Sequence, residues 1–135
     1  MRIALGIAAG VLIAFLTVAV VEWIGSLAFP VAPEPLHRSE AAVPLAGVPF
    51  PAMLVVVLAW FLGAFVGGWF AFRIGRRVWA IWAVAAAVVA AGILAIMMIL
   101  HPMWMQVAAV IAPLLGALAA ARLPRPAALD RAHGG

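Results

Sequence analysis

Four apolar runs, at about residues 3–29, 50–72, 78–100 and 103–122, leave this chain few ways to fold. Each reaches the ~20 residues that an α-helix needs to cross a bilayer. They are separated by a basic turn, Arg73-Ile74-Gly75-Arg76-Arg77, a tighter turn at His101-Pro102, and one long proline-bearing segment. With 70% of the residues hydrophobic and 9% charged, no water-soluble core of this size could hide so much apolar surface. The solvent is therefore expected to be lipid. In lipid, backbone amides and carbonyls must be satisfied within their own segment, which favours helices. The ~10-residue alternating segments of a membrane barrel are not seen. The expected fold class is all-α: a four-transmembrane-helix bundle with a short inner turn and one long outer loop. It forms a single transmembrane domain over residues 1–122, with the outer loop at 30–49 and a flexible cytoplasmic tail at 123–135.

Arginine placement sets the expected orientation. With the N-terminus inside, Arg2, Arg73, Arg76, Arg77, Arg122, Arg125 and Arg131 fall on the inner side and only Arg38 on the outer. That asymmetry predicts an N-in/C-in protein of the inner membrane. Trp69, Trp79 and Trp82 fall near the inner interface and Trp23 and Trp104 near the outer one, as membrane anchors do. All eight basic side chains are arginine and alanine is abundant, a compositional pointer to a GC-rich bacterial genome. The first run resembles a secretory leader, with Arg2 ahead of it and Ser26-Leu27-Ala28 at its end. Ile3 to Val21 nevertheless exceeds the usual ~7–15-residue leader core, so a retained span is expected. The high pI does not imply nucleic acid, because the arginines cluster at span ends rather than over one basic face. Without cysteine, disulfides, thiolate nucleophiles and cysteine-held metals are excluded.

Small residues at four-residue spacing mark the contact faces, since lipid gives helices no hydrophobic reason to associate. Gly6, Gly10 and Ala14 do this in the first span, and Ala59, Gly63, Gly67 and Ala71 in the second. Ala83, Ala87 and Ala90 follow in the third, and Ala108, Ala112, Gly116 and Ala120 in the fourth. These stripes serve packing within the chain, or one of them, Gly63/Gly67, joins two copies. Pro113 is expected to bend the fourth span. The "PLHRSEAA" stretch of the loop could form a short surface helix, with proline near its first turn.

The chemistry-bearing residues are few. Glu22 lies about seven residues before the end of the first span, ~10 Å below the outer interface. A carboxylate there is costly and normally faces the bundle interior. Helical phase aligns His101 with Leu94, Ala90, Ala87 and Ala83, so it too is expected to point inward, with Pro102 ending the helix. Trp104 and Gln106 follow at similar depth. Glu22, His101, Trp104 and Gln106 are thus expected to meet under a loop carrying Glu34, His37, Arg38 and Glu40. Such a cluster could be a structural hydrogen-bond knot or a proton-coupled transport site. A metal site is disfavoured because no closely spaced ligand pair exists, and haem because no second membrane histidine does. No nucleophile–base spacing is present, so no catalytic residue and no cofactor is expected. Gly6, Gly10 and Thr17 lie nearly opposite Phe15, Glu22 and Ser26 on the first span. Two contact faces on one helix leave a homo-oligomer or a larger membrane complex open as partners besides the bilayer.

Three short motifs carry a likeness. They are Glu22 followed by Phe29-Pro30, a W-x-x-G-x-x-x-G stretch (Trp60, Gly63, Gly67), and His101-Pro102-Met103-Trp104. In these the chain resembles a set of small, uncharacterised four-helix bacterial inner-membrane proteins of similar length. The resemblance covers most of the chain and implies the four-helix architecture and the outer-face arrangement, but no activity. The chain also looks superficially like a small multidrug resistance transporter in length, helix count and a single glutamate in the first helix. It departs from that pattern in the position of Glu22 near one span end, in the long outer loop, and in the strong arginine bias. The expected role is a non-enzymatic accessory or scaffold protein or complex subunit, with a small proton-coupled transporter using Glu22 and His101 as the alternative.

Overall fold

The computed structural model describes residues 1–30, 48–99 and 101–123. Among them the chain is all-helical: α1 (Arg2–Ala28), α2 (Phe50–Gly75), α3 (Trp79–Met98) and α4 (Met103–Arg122). All four are long and apolar enough to cross a membrane. The expected surface helix within 35–42, the roof of Glu34, His37, Arg38 and Glu40, and the tail beyond 123 lie outside the described residues.

Gly6 of α1 meets Gly75 at the end of α2, and Gly25 meets Val55 near its start, so α1 and α2 run antiparallel. Phe50 packs on Trp104, and Gly116 meets Phe61 and Phe65, so α2 and α4 run parallel. The described arginines, Arg2, Arg73, Arg76, Arg77 and Arg122, therefore share one end of the bundle. Pro30, Val48 and His101 mark the far end. α2 is the hub and packs against the other three helices; α1 also touches α3 but not α4. The turn between α2 and α3 is closed by Arg76 in the left-handed region, φ 54°, with its N–H donating to the Phe72 carbonyl at 2.8 Å.

Shape holds these helices together. No buried residue is polar or charged among those described, and the core is chiefly alanine, glycine and a few branched side chains. At the α1–α2 crossing an added Cβ on Gly10 would stand 2.6 Å from the Gly67 carbonyl oxygen and 2.7 Å from the Ala71 Cβ. Backbone this close needs glycine on both sides. Gly116 lets α4 approach α2 in the same way, where a Cβ would collide with the Phe61 carbonyl. The Gly63/Gly67 stripe is thus occupied by Ala14, Val18 and Gly10 of the same chain and is not free to join two copies.

The third helix corrects the sequence reading twice. Its buried face is Ala80, Ile81, Val84, Ala85, Val88 and Gly92, whereas Ala83, Ala87 and Ala90 are partly or fully exposed. A contact needs small residues on only one of its two sides. α2 supplies them, and Ile81 projects against Gly68. The helix also stops at Met98, and Ile99 is extended (φ −134°, ψ 135°). A residue preceding proline is driven out of the helical region, and here the break comes a few residues earlier still. His101 consequently has no helical phase with Leu94, which is exposed. Pro113 sits fully buried inside α4, which continues through it to Arg122.

Candidate functional site

At the far end the four helices do not close. A cavity of about 590 Å³ lies there, walled by α1, the start of α2, the end of α3 and the first turn of α4. Trp60 and Met105, both buried, form part of its wall. Phe29, Pro30 and Val48 line it where the described chain breaks off and resumes. Beyond Trp60 toward the arginine end come Ala64, Ile81, Val84 and Ala112, all buried, so the cavity is closed on that side.

Two ionisable side chains line it, Glu22 from α1 and His101 from the α3–α4 turn. They come from separate elements and line one void. No hydrogen bond joins Glu22 to His101, Trp104 or Gln106 among the described residues. The expected knot is replaced by local bonds. The His101 Nδ1 lies 2.7 Å from the Ile99 carbonyl oxygen, and the Gln106 amide donates to the His101 carbonyl at 3.0 Å. Ser26, also on the wall, donates its hydroxyl to the Trp23 carbonyl at 2.7 Å. That back-bond is the usual resort of a helical serine.

The histidine bond fixes chemistry. A carbonyl oxygen only accepts, so His101 carries its proton on Nδ1 and, when neutral, leaves Nε2 as an acceptor. Glu22 is exposed, and its carboxylate, when ionised, offers only acceptors. The wall is otherwise apolar: Ala52, Met53, Val55, Val56, Ala95 and Ile99 complete it. The site can hold a small amphipathic molecule. No hydrogen bond joins Ser26 to His101 or Glu22, and no group of three His, Asp or Glu side chains placed to hold a metal forms, among the described residues.

Of the four residues singled out from sequence, Glu22 and His101 share the cavity and the other two stand beside it. Trp104 packs on Phe50 with ring centroids 5.4 Å apart, and Gln106 braces the turn. Trp60 and Met105 were missed. Trp60 carried a usable signal, because it is the one tryptophan distant from both ends of its helix, where membrane tryptophans normally gather. Met105 carried none. No family model, curated protein or solved structure matches the chain.

Proposed function

We propose that the chain is a multi-pass protein of the bacterial inner membrane, with both termini cytoplasmic, that works by binding rather than by chemistry. It is a non-enzymatic accessory or scaffold protein that holds a small molecule at its periplasmic end, by itself or as a subunit of a larger membrane complex. One observation carries this reading: the Glu22–His101 cavity is open at the far end and closed by tight packing toward the arginine end. A void with a carboxylate and an imidazole on an apolar wall has the make-up of a ligand site. The arginine bias supports the orientation, and the resemblance to small four-helix inner-membrane proteins supports the location.

The same two side chains favour a second reading, a small proton-coupled transporter, because carboxylates and histidines between membrane helices are the side chains from which proton relays are built. The packed arginine half favours binding over passage. Two measurements separate the readings. In proteoliposomes loaded with a pH-sensitive dye and given a pH gradient, wild type and Glu22→Gln should both match protein-free vesicles. Proton flux in wild type that vanishes in Glu22→Gln would replace the binding reading with the transporter. In native-lipid nanodiscs, wild type should retain a small molecule that Ala95→Leu, which narrows the cavity beside Val56 and Trp60, holds less well. Identical small-molecule content in the two proteins would overturn the binding reading.

A further inference from the structure

The ionisable groups on the cavity wall narrow the occupant. The Ser26 hydroxyl proton and the His101 Nδ1 proton are committed to the Trp23 and Ile99 carbonyls. What remains for a guest is the Glu22 carboxylate, the His101 Nε2 lone pair and the lone pairs of the Ser26 oxygen. These are acceptors without a donor among them. Every described arginine stands at the opposite end of the bundle, so no described cation competes for Glu22. The rest of the wall, from Phe29 and Met53 to Ile99, is apolar apart from the indole N–H of Trp60, a donor that a guest's own acceptor or π-face could meet.

We propose that the cavity binds an amphipathic ammonium, an apolar chain ending in a protonated nitrogen that carries at least one N–H. This rests on the ligand-site reading above and adds the chemical class of the ligand. The nitrogen sits between Glu22 and His101, giving one proton to the carboxylate and another to Nε2, while the chain lies along Val56, Trp60 and Ala95. A charge-assisted N–H···carboxylate bond is stronger than a neutral one. An alcohol of the same length forfeits the charge, a quaternary ammonium forfeits the donors, and a fatty acid brings like charge against Glu22.

The test uses the full chain in nanodiscs and follows tryptophan emission during titration with octylammonium, octyltrimethylammonium, octanol or octanoate. Empty nanodiscs subtract partition into lipid. Octylammonium should bind saturably, the quaternary ammonium and the alcohol at least tenfold more weakly, and octanoate not at all. Glu22→Gln should weaken octylammonium by tenfold or more, with its melting midpoint recorded alongside. The wild-type series stands by itself should that variant fold poorly. Octanol or octyltrimethylammonium binding as tightly as octylammonium, or a folded Glu22→Gln that binds it unchanged, overturns the ammonium and leaves the cavity. Saturable binding of none of the four overturns both the ammonium and the ligand site.

Discussion

At the arginine end, Gly6 lies so near α2 that an added Cβ would stand 2.8 Å from the Gly75 amide nitrogen. At the far end, α1, α2 and α3 leave about 590 Å³ between them. One bundle therefore contains backbone crossings too close for a methyl group, at Gly6 and Gly10, and a region with room for a ligand. The contrast teaches what each end is for. Interior packing at full density is what a membrane bundle needs for stability, because burial from lipid yields no hydrophobic gain. A void forfeits contacts on every side chain that lines it, and here it lies beside Glu22 and His101.

The comparison can be broken in three ways. The largest effect belongs to Gly10→Ala. Its methyl group would meet the Gly67 carbonyl oxygen, the Ala71 Cβ and a Val84 methyl, the first of which is backbone. A loss of about 2–3 kcal/mol, the upper range for overpacking, is expected in denaturant unfolding from micelles. A midpoint equal to wild type would mean that the close approach is not needed. Next is Ala95→Leu, which adds bulk of the same chemistry where the cavity can take it. It should shift stability by less than about 1 kcal/mol in either direction, while the matched Ala64→Leu, at a fully buried position, should cost clearly more. Equal losses in the two would erase the distinction between the ends. Smallest is Glu22→Gln. With no hydrogen bond to break among the described residues, it should move the unfolding free energy by less than about 0.5 kcal/mol. A loss of several kcal/mol would reinstate the structural knot.

Much of the tight end was legible in the sequence, and little of the open one. The stripes Gly6/Gly10/Ala14 and Ala59/Gly63/Gly67/Ala71 lie buried against each other, because a glycine that admits backbone works wherever its neighbour comes from. The third helix misled for the same physical reason turned round. Its alanines were read as the contact face, but the small partners stood on its neighbours, Gly68 of α2 taking Ile81 and Gly10 of α1 taking Val84. Nothing within one helix tells which side of a contact will be the hole. His101 misled because its phase was extrapolated through Ile99, which the chain leaves in an extended conformation. That Glu22 and His101 would share a wall without bonding depended on how far α1 stands from α3 at the far end, a distance that no residue spacing records.

The helices are also of two lengths. α1 and α2 have 27 and 26 residues, α3 and α4 have 20 each. At 1.5 Å per residue the longer pair measures about 40 Å and the shorter about 30 Å, close to the hydrocarbon thickness of a bilayer. Counted from Arg2, Glu22 stands about 30 Å along α1, so a membrane that holds the arginine at one headgroup layer delivers the carboxylate to the other. A bilayer a few ångströms thicker draws that carboxylate beneath the acyl chains, and a thinner one leaves it wet.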